Sequence, residues 1–144
     1  MAQDRAPGPA PAHTQLPDDL VVLLRRPSPC HIATLMPDGS PQTTQVWVDT
    51  DGRHVLVNSV AGFQKVRNVQ RDPRVALDVS DPDRPSRYYA LRGRVVGETT
   101  EGAAEHIEAL AQRYLGRSYP WFGGRDQVRT ILTIAVDRIH RTGG

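Results

Sequence analysis

Residues 57–79 read VNSVAGFQKVRNVQRDPRVALDV, and this stretch decides what kind of fold the chain can make. A β-branched, apolar run ends at Asn58 and Ser59, and a short turn follows it. Phe63 to Gln70 then suits about two turns of helix before Pro73 stops them. Val75 to Ser80 resumes as a strand. Gln64, Lys65, Arg67 and Asn68 gather where the first strand gives way to the helix. Amides at a helix start and cationic side chains converging there suit a single anion such as a phosphate. The plainer alternative is a solvated basic helix face, which is the common fate of charge runs.

On the N-terminal side, Leu16, Leu20, Leu23 and Leu24 recur at helical spacing, opened by Pro17 and Asp18 and closed by Pro27. CHIATLM follows, then the turn Pro37-Asp38-Gly39-Ser40, the run PQTTQVWVD, a second turn at Asp51-Gly52, and HVLVNS. Asp-Gly turns between β-rich runs signal hairpins, so these strands are expected to form a meander. Thr44, Val46 and Val48 alternate with Thr43, Gln45 and Trp47, giving the middle strand two differently used faces.

On the C-terminal side, DPDRPS reads as a loop and RYYALRGRVVGE as a long fifth strand with Gly93 at a bulge or bend. Thr100 is expected to cap a helix whose stripe is Ala104, Ile107, Ala111, Tyr114 and Leu115. GRSYPWFGG is a loop, and TILTIAVDRI closes the chain as a sixth strand. Six strands with few helices, joined mainly by turns, give a mainly β fold, an antiparallel barrel rather than a Rossmann sheet. Neither G-x-G-x-x-G nor a P-loop phrase occurs.

At 144 residues, one domain is the expectation: a disordered tail over 1–15, rich in Pro and Ala, then a single unit over 16–144. A net charge of +2, with the 18 Lys and Arg almost all Arg and spread along the chain, argues against a dedicated nucleic-acid binder. Cys30 is the only cysteine, so no intramolecular disulfide forms and a reducing cytoplasm fits. No run approaches the ~18 apolar residues of a membrane span, and MAQDRAPGPAPAHTQ lacks the apolar core of a secretory signal.

In this order the segments resemble the split β-barrel flavin and deazaflavin oxidoreductases, relatives of pyridoxamine 5′-phosphate oxidase. The landmarks are HIATLMPDGSPQTTQVWVD, GFQKVRNVQRDPRVAL, RYYALRGRV and TILTIAVDRI, which together span about residues 16–140. The phrase K-x-R-N-x-x-R-D-P-R-V, from Lys65 to Val75, is most similar to the actinobacterial branch that uses the deazaflavin coenzyme F-420. The pyridoxamine oxidases proper carry a different phosphate phrase and a C-terminal segment that this chain lacks. The resemblance implies a six-stranded FMN-binding split barrel and a hydride-transferring oxidoreductase. The coenzyme would be F-420, with FMN the alternative, and the acceptor a quinone, an unsaturated ketone or a tetrapyrrole. It places the ring near Thr44, Gln45, Val46 and Trp47, and the phosphate near Asn58, Ser59, Gln64, Lys65 and Asn68. It also implies a homodimer with two interface sites, to which Arg87, Tyr88 and Trp121 of the other copy would contribute.

Each residue also has a plainer role. Lys65 is a phosphate ligand or an exposed helix lysine; Asn68, three residues on, shares its face, while Arg67 points elsewhere. Trp47 walls a cofactor or fills the core. His31 and His54 lack partners at ligand spacing, so no metal site is expected. Cys30 reads as a small buried hydrophobe. Tyr88, Tyr89, Tyr114 and Tyr119 include possible proton donors, but the sequence singles out none, and the catalytic group stays unassigned. Arg25, Arg26, Arg67 and Arg71 would suit the acidic tail of F-420. A non-catalytic cofactor module is the remaining class, including a haem binder through His31, His54 or His106.

Overall fold

Gly39 and Gly52 take positive φ, 86° and 96°, and each lies in a turn between antiparallel strands, as the Asp-Gly pairs predict. The structure, a computed structural model, describes residues 14–143. In chain order the elements are α1 (Asp18–Leu24), β1 (Cys30–Leu35), β2 (Pro41–Val46), β3 (Val48–Thr50), β4 (Val55–Val60), α2 (Gln64–Arg71), β5 (Arg74–Asp81), β6 (Arg84–Thr99), α3 (Ala103–Leu115) and β7 (Arg129–Thr142). Of the expected tail, residues 1–13 lie outside the described residues. Thr14 is already tied to β7, its N–H donating to the Val136 carbonyl at 2.7 Å.

All seven strands form one antiparallel sheet in the order β2-β1-β5-β6-β7-β4-β3. Its two edge strands, β2 and β3, are neighbours in sequence, separated only by Trp47. The sheet therefore curls until its edges meet at one corner, which is the split barrel. PQTTQVWVD is consequently two strands and not one: before Trp47 the chain pairs with β1, after it with β4. The inward parity does not change across this corner, since Val46, Val48 and Thr50 all point inward. Alternation records the face of a residue, not the partner of its strand.

Inside the curl sit Ile32, Val48, Val55, Val57, Leu77, Val79, Leu91, Leu132 and Ile134, all buried. Leu20 and Leu24 of α1, both 0% exposed, join this core as their spacing predicts. Each such side chain stabilises the fold by about 1.5–3 kcal/mol relative to exposure. A second cluster lies outside, where Ile107, Leu110 and Ala111 of α3 meet Tyr119, with Trp47, Tyr114 and Trp121 packed on it.

Three boundaries move. DPDRPS is mostly strand, because β6 starts at Arg84; Pro85 falls in a register shift of the β5–β6 ladder, where its missing N–H is not needed. Thr100 is not the cap of α3, which starts after Gly102 in the left-handed region at φ 74°. The stripe differs too: Leu110 points inward, while Ala104 and Leu115 are exposed. Gly93 does sit at a register shift, against Ala135 and Val136 of β7.

Candidate functional site

A cavity of about 500 Å³ opens beside the Trp47 corner. Gln45, Val46 and Trp47 form one wall, and Asn58, Ser59 and Val60 at the end of β4 form another. Phe63 and Lys65 enter from the start of α2, Ile107 and Tyr114 from α3, Tyr119 and Phe122 from the following loop, and Arg129 from β7. The Trp47 and Tyr114 rings stack at 5.2 Å and 11°, and Tyr119 stands edge-on to Trp47 at 6.1 Å. The loop is pinned by Glu108, which accepts from the Tyr119 N–H at 2.9 Å and from Trp121 Nε1–H at 3.2 Å. Trp121 pays for this placement with a positive φ of 54°.

Two cations stand at this cavity without an acid. Among the described residues, neither Lys65 nor Arg129 forms an ion pair with a carboxylate. Burial holds the Lys65 ammonium below its ordinary pKa, and the Arg129 charge lowers it further. Burial lowers Arg129 as well, partly offset by Tyr119. Arg129 Nε–H donates to Asn58 Oδ1 at 2.8 Å and its NH1 donates to the Tyr119 hydroxyl at 3.2 Å. Ser59 Oγ, on the same wall, is buried with no hydrogen-bond partner among the described residues. Two cations and a spare hydroxyl beside an aromatic wall are what a planar ring carrying a phosphate requires.

Comparison with known proteins identifies the family. The family model of pyridoxamine 5′-phosphate oxidase matches residues 16–143. The chain belongs to the pyridoxamine 5′-phosphate oxidase family. Among solved structures, it is similar to an F-420 reductase at 30% identity and a TM-score of 0.75, with 87% of this chain and 98% of that chain covered. A putative pyridoxamine 5′-phosphate oxidase from Listeria innocua matches at 20% identity and a TM-score of 0.66, covering 88% of this chain and 98% of that one. The HupZ protein of Group A Streptococcus matches at 20% identity and a TM-score of 0.64, covering 90% and 96%. The last two likenesses speak for the fold. Proteins of this fold bind flavin-type cofactors, and the ring wall, the cation pair and the unpartnered Ser59 hydroxyl fit such a group.

Of the residues expected to hold the cofactor in this family member, the fold brings Gln45, Val46, Trp47, Asn58, Ser59 and Lys65 to the cavity. Thr44, Gln64 and Asn68 do not line it. Asn68 is fully buried on the far side of α2, donating to Thr34 Oγ1 at 3.0 Å, while its Oδ1 accepts from Gln64 Nε2 at 2.8 Å. Gln64 also accepts from Arg67. The four arginines proposed for an acidic tail are absent from the lining; Arg26 pairs with Asp81 and Asp83, and Arg71 donates to the Leu35 carbonyl. Arg129 is the residue that sequence reasoning missed. Nothing local marks it, and only the pairing of Val60 with Arg129 between β4 and β7 brings it to the cavity.

The tyrosines separate. Tyr89 donates to Asp19, away from the cavity lining. Tyr114 donates to the Ser28 carbonyl at 2.8 Å, and burial is the main cause of its pKa being pushed up to about 12. Tyr119 lines the cavity, and its hydroxyl accepts from Arg129, which leaves its own proton to donate.

Proposed function

We propose that this protein is an oxidoreductase that holds coenzyme F-420 in the Trp47 cavity and passes a hydride between it and a small organic acceptor. The observation that carries the proposal is the Lys65–Arg129 pair, half-buried and unneutralised, at an aromatic-walled cavity. Lys65, Arg129 and the Ser59 hydroxyl bind the phosphate, and Trp47 stacked on Tyr114 walls the ring. When bound, the deazaflavin supplies the hydride chemistry. Tyr119 holds the proton for the acceptor. The likeness to an F-420 reductase and the Lys65–Val75 phrase favour the deazaflavin over FMN, which the same groups would also suit. None of His31, His54 and His106 lines this cavity, so a haem held there would lack a histidine ligand.

The deciding experiment is titration of the purified protein with F-420 and, separately, FMN, followed by cofactor fluorescence. Micromolar or tighter binding of F-420, with FMN much weaker, is expected. Preference for FMN would move the chemistry to flavin, and binding of neither would remove the cofactor reading. The same proposal makes the protein a cytoplasmic homodimer. The half-buried sheet face bearing Ala33, Ala76 and Ala90 is its contact surface, and sedimentation equilibrium is expected to return twice the chain mass.

A further inference from the structure

Asn58 lies at the cavity wall but is 6% exposed, and both ends of its amide are taken. One end lies 2.9 Å from the Ala103 carbonyl oxygen and 3.0 Å from His106 Nδ1. The other end lies 2.8 Å from Arg129 Nε. A backbone carbonyl only accepts and a guanidinium N–H only donates, so the two neighbours independently demand the same amide orientation. The NH₂ faces α3 and the oxygen faces β7. With one amide hydrogen on Ala103, the other must go to His106 Nδ1, which is therefore an acceptor. The imidazole is then neutral and carries its proton on Nε2, which lies 3.0 Å from Asp49 Oδ2. The second oxygen of Asp49 accepts from Arg113 NH2 at 3.1 Å.

We propose that Asp49, His106 and Asn58 form a positioning chain for Arg129, holding its guanidinium at the cavity where the cofactor phosphate binds. The inference rests on the cofactor reading given above. Asp49 sets the tautomer of His106, His106 sets the orientation of Asn58, and Asn58 supplies the acceptor that Arg129 Nε requires. Without that acceptor the guanidinium keeps, among the described residues, Tyr119 alone, through its hydroxyl at 3.2 Å and its ring face at 5.3 Å. The chain runs from β3 through α3 and β4 to β7, so Arg129 is held by three other elements although it stands at the very start of its strand.

The test is a double-mutant cycle on F-420 affinity with His106→Ala, Arg129→Ala and the pair together. Each single change is expected to weaken binding about tenfold, the scale of one hydrogen bond to a charged group. The double variant is expected to bind no worse than Arg129→Ala alone. Multiplying losses would overturn the positioning role, because His106 would then act on something other than Arg129. Unchanged affinity in Arg129→Ala would instead remove the phosphate assignment and this inference with it. His106→Gln, whose carbonyl oxygen offers Asn58 an acceptor, is expected to recover most of the loss. A readout without any variant or cofactor is long-range ¹H–¹⁵N correlation of the His106 ring at pH 7.5. A neutral ring protonated on Nε2 is expected; an Nδ1–H tautomer or an imidazolium would overturn the chain.

Discussion

Lys65 is the only lysine in the chain, and the fold keeps its charge at a cost. Burial and then Arg129 hold its pKa below the ordinary value, so between its folded pKa and the unfolded value of about 10.4 the unfolded chain binds more protons. Stability from this group accordingly rises with pH across that window, and below it the penalty is present in full. Lys65→Met is therefore expected to raise the melting temperature of the cofactor-free protein at pH 7 by about 2 °C. It is also expected to weaken F-420 binding about tenfold. Thermal melts at pH 7 and pH 10 check the first half, with the gap between the two proteins closing at the higher pH. A variant that melts lower than the parent at pH 7 would make Lys65 a structural residue. Lys65 was legible because it opens a helix one short turn after a strand end, where local spacing carries information. Arg129 was not, because its place depends on which strand pairs with β4. Asn68 misled for the opposite reason: a shared helix face with Lys65 said nothing of β1, whose Thr34 takes its amide.

At the level of elements, the β6–β7 pair holds the most exacting position. A Cβ placed on Gly93 would lie 2.1 Å from the Ala135 carbonyl oxygen and 3.1 Å from Val136 Cα, both backbone atoms that have nowhere to retreat. Gly93→Ala is expected to cost about 3 kcal/mol in urea unfolding. Gly97, on the same strand, is the control, because a Cβ there meets the Thr133 side chain at an ordinary 3.7 Å. Gly97→Ala is expected to be neutral or stabilising by up to about 1 kcal/mol. Equal losses at both positions would mean that strand glycine content, not the close approach, sets the stability. The bulge could be read in the sequence because a glycine in the interior of a strand has few other uses. The break at Trp47 could not, since the period of 2 runs through it unchanged. The start of α3 was misplaced because a left-handed Gly102 precedes it, and a threonine nearby offered a stronger textual signal than the one the backbone uses.

For the molecule as a whole, closure of the curl and construction of the cavity depend on the same helix. Arg113 donates to the Leu24 and Val48 carbonyls, both at 3.2 Å, and to Asp49. Tyr114 accepts from the Val48 N–H at 3.1 Å and donates to Ser28. One turn of α3 thus fastens the end of α1, the approach to β1 and the short edge strand β3, while Tyr114 also walls the cavity. The alternation and turn signals gave the barrel class; this clamp was invisible to them, because its partners are mostly backbone groups remote in sequence. Asp49 is its ionic centre. Burial raises its pKa, but His106, the Thr50 amide and Arg113 together outweigh that and leave it below the ordinary carboxylate value. The stability it contributes is therefore complete above the unfolded value of about 3.9 and is lost as pH falls through the lower folded value. Asp49→Ala is expected to cost about 3 kcal/mol at pH 7, since it strands a mostly buried guanidinium and an imidazole N–H. Urea unfolding of both proteins from pH 7 down to pH 2.5 checks the sign: the gap should hold to about pH 4 and narrow below it. A gap that stays constant to the lowest pH would assign the loss to packing, and the clamp would then owe nothing to the charge of Asp49.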